Sequence, residues 1–267
     1  MTSVRWLHRC HEAGRLEFRL GRRGDEVLAE WVGLATLRAS LAGDWSELSV
    51  APELDRVEVE ESLRGHVDAL LSHLRGGLSL HASSVCRGGV ALAFAGDSGA
   101  GKSTIAAQLC TDPAVELLSD DSAPLRFSGP HIEVMPAETR HMLRQDVARA
   151  FGLEPEGRIK VRKDALRPAA RPARLGALVT LAFDDSVRLP VLRRIHGVRA
   201  FSVLNRAAVR FVLDEPGVLR RELDMLALVA EQVPFYELVR SRSLSNLDGS
   251  AQEATLLLRS LSEPGRG

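Results

Sequence analysis

Apolar and polar positions change rhythm several times along the chain, and each change marks an element. Arg15-Leu-Glu-Phe-Arg-Leu20 alternates with period two, the pattern of a half-buried strand. Gly21-Arg-Arg-Gly24 predicts a turn, and Val27-Leu-Ala-Glu-Trp-Val32 predicts a second strand. The stretch up to about residue 60 reads as β-rich and irregular, with Trp31 and Trp45 as core or edge aromatics. From 60 to 75 the rhythm turns helical, placing Leu63, Val67, Leu70, Leu71 and Leu74 on one face. Gly76-Gly77 then opens a strand over Leu78 to Val85, and Cys86-Arg-Gly-Gly89 turns the chain back. The apolar run Val90-Ala-Leu-Ala-Phe-Ala95 predicts the partner strand of that hairpin.

Further along, Ser103 to Leu109 is helix-like, Thr111-Asp-Pro113 is a break, and Val115 to Ser119 is a short strand. Residues 138 to 152 predict a helix, and Gly157 to Arg174 a basic connector. Leu175 to Phe183 is a nearly all-apolar strand. An amphipathic helix over Val218 to Gln232, a strand over Val233 to Leu238 and a terminal helix over 248 to 262 complete the pattern. Glu263 to Gly267 reads as a frayed tail, and no internal repeat is present.

Between the Val90–Ala95 strand and the following helix lies Gly96-Asp-Ser-Gly-Ala-Gly-Lys-Ser-Thr104, a complete G-x-x-x-x-G-K-S phosphate-binding loop. Its glycines let successive backbone N–H groups face phosphate oxygens, and the helix N-terminus adds partial positive charge. Lys102 neutralises the β- and γ-phosphates, and the Ser103 hydroxyl ligates Mg²⁺. The motif in this strand–loop–helix context predicts binding of ATP or another nucleoside triphosphate.

Phosphoryl transfer also needs acidic groups, one for the metal and one for the nucleophile's proton. Two pairs compete. Asp184-Asp185 follows the apolar strand Leu178 to Phe183, as in a generic Walker B pattern. Asp120-Asp121 follows the weaker strand Val115 to Ser119, but a helix, a turn and that strand return the chain to the loop's edge of the sheet. The earlier pair is therefore preferred, and Asp184-Asp185 is read as a solvated turn. His81 shares the polar face of its strand with Ser79 and Ser83, on the partner of the strand that delivers the loop. Arg158, Lys160, Arg162, Lys163, Arg167, Arg171 and Arg174 face a single acid, Asp164, in the basic connector. That strip is either a solvated face or a mobile contact for phosphates or an acidic acceptor.

Composition narrows the classes. Lys+Arg and Asp+Glu are both 35 in 267 residues, so no global charge points to nucleic acid or an anionic membrane. No apolar stretch is long enough to span a bilayer, and the first residues carry no secretory signal. Cys10, Cys86 and Cys110 are widely spaced, which fits a reducing, cytoplasmic location.

Taken in order, Leu80-His-Ala-Ser-Ser-Val85, Gly96 to Thr104 and Leu118-Ser-Asp-Asp121 resemble the HPr kinase/phosphorylase family and its relatives. The later helix with Leu223, Leu226 and Ala230 and the strand from Val233 to Leu238 are similar to the HPr-kinase-like proteins of peptide-modification clusters, including lasso-peptide tail kinases. The resemblance implies an α/β fold with a P-loop kinase core of the HPr kinase/phosphoenolpyruvate carboxykinase type. It implies that Lys102 and the loop amides hold phosphates and that Ser103 and Asp120 contact Mg²⁺. Asp120 and Asp121 together supply metal contact and base, and His81 lines the site. The first 75 residues differ from the family's N-terminal domain, and the family's downstream signature associated with dephosphorylation has no match.

The expected organisation is thus a small β-rich N-terminal subdomain with a linking helix (1–75), a kinase core (76–262) and a tail (263–267). The expected activity is transfer of a γ-phosphoryl group to a serine hydroxyl of a peptide or small-protein substrate. A small-molecule kinase on the same core and a nucleotide-binding regulatory module are the alternatives, and homo-oligomerisation is left open.

Overall fold

The computed structural model describes residues 3–12, 14–129, 131–154, 160–211 and 216–263, a mixed α/β chain that divides into two units. The first unit comprises Met1–Ser79 with Val209–Met225, and the second Leu80–Ala208 with Leu226–Gly267. The return of Val209–Met225 to the first unit has no signal in the sequence pattern. Among the described residues, no helix is long and apolar enough to cross a membrane.

In the first unit, β1 (Arg5–Glu12), β2 (Arg15–Arg23), β3 (Glu26–Trp31), β4 (Ala35–Ser40) and β5 (Ser46–Val50) form an antiparallel meander. Alternation decides which face is covered: Ala35, Leu37 and Ala39 of β4 are buried, while Thr36, Arg38 and Ser40 are half-buried. Helix α1 (Arg56–Leu74) lays Val59, Leu63, Leu70 and Leu74 against Leu20, Val27, Trp31 and Leu37. Its first turn is capped by Asp55, whose Oδ1 accepts the Glu58 N–H at 2.9 Å. The turn expected over 21–24 lies slightly later. β2 runs through Arg23, because Arg22 and Arg23 pair with Val27 and Glu26 and the Arg23 guanidinium meets the Glu26 carboxylate at 2.7 Å.

The remaining elements, in chain order, begin with β6 (Leu78–Leu80), β7 (Ala82–Arg87), β8 (Val90–Ala95), α2 (Lys102–Leu109) and β9 (Glu116–Ser119). Next come β10 (Ala123–Ser128), β11 (His131–Val134), β12 (Arg140–Arg144), α3 (Gln145–Ala150) and β13 (Lys160–Asp164). The chain continues with β14 (Ala173–Phe183), β15 (Val191–Ile195), α4 (Gly197–Ala207), α5 (Pro216–Gln232), β16 (Phe235–Arg240) and α6 (Leu247–Ser262). In the second unit the sheet runs β10-β11-β14-β8-β7-β9, with β16 also beside β14 and β15 outside β16. β14 pairs in parallel with both β8 and β16, while β7 is antiparallel to both of its neighbours. Parallel strands covered on both faces carry continuous apolar runs, and all six residues of β8 are buried. Ile105 and Leu109 of α2 and Ala254 and Leu258 of α6 pack on Leu92, Phe94, Val179 and Leu181 of the sheet.

Two expectations are corrected here. Residues 138–152 are not one helix: 140–144 form β12, and the helix occupies 145–150. His141 and Leu143 are buried between less buried neighbours, an alternation of strand type, and Arg140 pairs with Asp164 on β13 at 2.8 Å. The connector 157–174 is not a loose strip where it is described, since β13 pairs with β12 from Lys160 to Asp164 and β14 begins at Ala173. Lys163 sits over the Phe151 ring at 5.5 Å, whereas Arg158 lies outside the described residues.

Candidate phosphate-binding and acidic site

One edge of the second unit's sheet collects the candidate residues. β7 runs antiparallel to β8 on one side and to β9 on the other, so β8 and β9 finish at the same edge. β8 ends at Ala95 and feeds the Gly96 loop, while β9 ends at Ser119 and feeds Asp120-Asp121. His81 immediately precedes β7, between the two. The loop and the acidic pair therefore stand two strand spacings apart, about 10 Å. β14 and β16 also end here, at Phe183 and Arg240.

Three glycines set the backbone of the loop between β8 and α2. Gly96, Gly99 and Gly101 have φ of 146°, 82° and 90°, conformations that L side chains rarely adopt. Gly101 caps α2 in the left-handed region without any side-chain hydrogen bond, which leaves the first-turn amides without a side-chain acceptor from the cap. The buried Lys102 ammonium curls back across the loop, donating from Nζ to the Gly96 carbonyl at 2.9 Å and the Asp97 carbonyl at 3.3 Å. Asp97 and Ser98 are exposed, Ala100 and Thr104 are buried, and Ser103 is half-buried.

The acidic pair splits into an inner and an outer member. Asp120 is buried, and its Oδ2 accepts the Met142 N–H at 2.6 Å, while Oδ1 has no hydrogen-bond partner among the described residues. The imidazole of His141, fully buried, lies 3.9 Å from that Oδ1. Asp121 is half-buried. Its backbone carbonyl receives the His81 Nδ1–H at 3.1 Å, and its carboxylate lies 3.5 Å from the same nitrogen. Ser83 Oγ donates to the Asp120 carbonyl at 2.7 Å, which ties the pair to β7.

A third carboxylate, absent from the sequence reading, completes this cluster. Glu138 accepts the Asp120 N–H at 2.9 Å. Burial pushes its carboxyl up to about 8, and the neighbouring Asp120 and Asp121 charges add to the effect, against hydrogen bonds from the Asp120 and Ser122 amides. The hairpin β10–β11 carries the chain out and back between the acidic pair and Glu138. The turn signal Ser128-Gly-Pro130 was the legible hint of that return.

A cavity of about 990 Å³ opens beside the loop, lined by Gly96 to Ala100, His81, Thr180 to Phe183 and one face of α4. Arg144, Arg199, Arg206 and Arg242 contribute guanidinium groups, and Glu237 a carboxylate already paired with Arg193 and Arg199. Asp120 and Asp121 are not among the lining residues. Asp184 is exposed and caps its own turn, with Oδ1 accepting from the Ser186 amide and hydroxyl. Asp185 Oδ1 accepts the Arg242 N–H at 3.0 Å.

Among the described residues, no three His, Cys, Asp or Glu side chains are grouped to hold a metal by themselves. Mg²⁺ binds commonly through one or two protein oxygens plus phosphates and water. Asp120, just after β9, and Ser103, in the first turn of α2, carry oxygens of that type, and the Asp120 Oδ1 is buried with no hydrogen-bond partner among the described residues.

No family model and no curated protein matches the chain. Among solved structures it is similar to the HPr(Ser) kinase/phosphatase of Coxiella burnetii, at a TM-score of 0.37 and 12% identity, over 68% of this chain and 97% of that one.

Proposed function

We propose that the chain is an ATP-dependent kinase that transfers the γ-phosphoryl group to a serine hydroxyl on a peptide or small protein. The observation that carries this reading is the single sheet edge where the Gly96–Lys102 loop, His81 and Asp120-Asp121 converge. In this reading the loop amides and Lys102 hold the β- and γ-phosphates, and Ser103 and Asp120 would supply oxygens to Mg²⁺. When bound, the metal neutralises charge on the phosphate oxygens.

Asp121 is the better base of the pair, because Asp120 is buried and engaged by the Met142 amide while Asp121 is half-exposed beside His81. In the transfer the acceptor oxygen attacks the γ-phosphorus, and its proton passes to the Asp121 carboxylate. The bond to the β–γ bridging oxygen breaks, and ADP retains that electron pair next to Lys102. His81 holds the Asp121 backbone and so orients its carboxylate. The motif order resembling HPr-kinase-like proteins supports a hydroxyl on a polypeptide as the acceptor.

Incubation of candidate peptides with ATP and Mg²⁺, followed by mass spectrometry, tests the proposal. A phosphoserine on a peptide is the expected result. Phosphorylation of metabolites in place of peptides would move the assignment to a small-molecule kinase. Nucleotide binding with no transfer to either would leave a regulatory module.

A further inference from the structure

Behind the phosphate loop lies a charge that the proposed reaction has not used. Arg240 ends β16 opposite Phe183 of β14, and its side chain turns under the loop. Nη2 donates to the Ala100 carbonyl at 3.1 Å. A Cβ built on Gly101 would overlap that same nitrogen, so the guanidinium fills the space a side chain at 101 would need. Arg240 is 3% exposed, and its buried Nε has no hydrogen-bond partner among the described residues. The guanidinium carbon lies 5.1 Å over the Phe183 ring, and the two acids that follow β14 are engaged elsewhere, Asp184 with Ser186 and Asp185 with the Arg242 amide. Burial alone pulls the guanidinium below its usual range. A buried cation without a counter-ion is destabilising, and it persists where something supplies the missing charge.

We propose that Arg240 is a positioning residue for polyphosphate: it holds the Ala100 carbonyl back so that the loop amides face outward, and its charge meets an opposite charge when a di- or triphosphate fills the loop. The inference rests on reading Gly96–Lys102 as a phosphate site. It adds a second cation to Lys102, one on the inner side of the loop, and it couples occupancy of the site to stability of the second unit.

The test uses the full chain, inorganic tripolyphosphate and Mg-ATP as probes, and the variants Arg240→Met, Arg240→Lys and Lys102→Ala. Without ligand, Arg240→Met should melt at or above the wild-type temperature, because an uncompensated charge is gone. Its affinity for tripolyphosphate should fall about tenfold or more, the scale of one charged contact, with partial recovery in Arg240→Lys. Wild-type affinity in Arg240→Met overturns the inference. So does a ligand-free melting temperature well below wild type in both Arg240 variants, which would make the residue part of the fold alone. If Lys102→Ala loses affinity while the Arg240 variants keep it, the loop reading stands and only this inference falls. If the wild type binds neither tripolyphosphate nor Mg-ATP, the loop reading fails and takes the inference with it.

Discussion

The carboxylate of Asp120 accepts the backbone N–H of Met142 at 2.6 Å, so the acidic pair after β9 is anchored to the strand that follows Glu138. That anchor fixes Asp120 and leaves Asp121 to face outward beside His81. Asp120→Asn or Asp121→Asn should lower kcat by about 10²-fold or more, the scale of losing a general base or a metal contact. Asp184→Asn should be nearly silent in the same steady-state assay, since Asp184 serves its own exposed turn. The reverse ranking would assign the chemistry to the end of β14.

Lys102→Ala should abolish transfer and weaken ATP binding by about 10- to 100-fold, the range for one charge-assisted contact. The lysine is buried with its ammonium already over the loop, so little ordering remains to be done on binding. Titration calorimetry with ATP measures the loss, and unchanged affinity would remove Lys102 from the site.

The strand–loop–helix around Gly96–Thr104 was legible because one short, contiguous string specifies strand, turn and helix start together. The hairpin before it was equally local, with Gly88-Gly89 between two apolar runs. Glu138, His141 and Arg240 were not legible, because each reaches the site through pairing distant in sequence: β10–β11, β12–β13 and β14–β16. Residues 138–144 were misread as helix for a related reason. Their strand character depends on β13, some twenty residues later, and local apolar spacing carries no trace of it. Helix α4, with Ala200, Val203, Leu204 and Ala207 buried at helical spacing, was open to the same periodicity argument and was passed over.

His81→Ala should lower transfer while leaving the melting temperature nearly unchanged, because the side chain is about half exposed. Scanning calorimetry beside the kinetic assay separates the outcomes. Lost stability with activity retained in the folded fraction would give His81, at the bend between β6 and β7, a structural role only.

Glu138 predicts a pH signature in the metal-free protein. It binds its proton more tightly in the folded chain than in the unfolded one, so its contribution to stability is complete below about 4.5 and is lost as pH rises through about 8. Buried His73 acts in the opposite sense, because burial lowers its pKa and its contribution is lost as pH falls. The difference between wild type and Glu138→Gln cancels that background. Melting temperatures across this window should show wild type losing ground to the variant as pH rises, and a flat difference would place Glu138 in ordinary solvent.

The thiols give an independent check on the packing. Burial pushes Cys86 and Cys110 up to about 12, whereas Cys10 is exposed. An alkylating reagent at neutral pH should modify Cys10 readily in the native protein and reach Cys86 and Cys110 only after unfolding. Mass spectrometry of the labelled peptides identifies each site, and rapid native labelling of Cys110 would contradict the seating of α2 against the sheet.

The parallel pairing of β14 with β16 has a consequence for how the protein is made. β8 and the Gly96–Thr104 loop leave the ribosome well over a hundred residues before Arg240, yet the Ala100 carbonyl finds its donor only when β16 has docked. Until then β14 lacks its second parallel partner and the Ala100 carbonyl its donor, non-local contacts of the kind that slow folding. A nascent chain stopped before residue 235 would carry the entire Gly96–Thr104 string and still lack the strand whose last residue braces it.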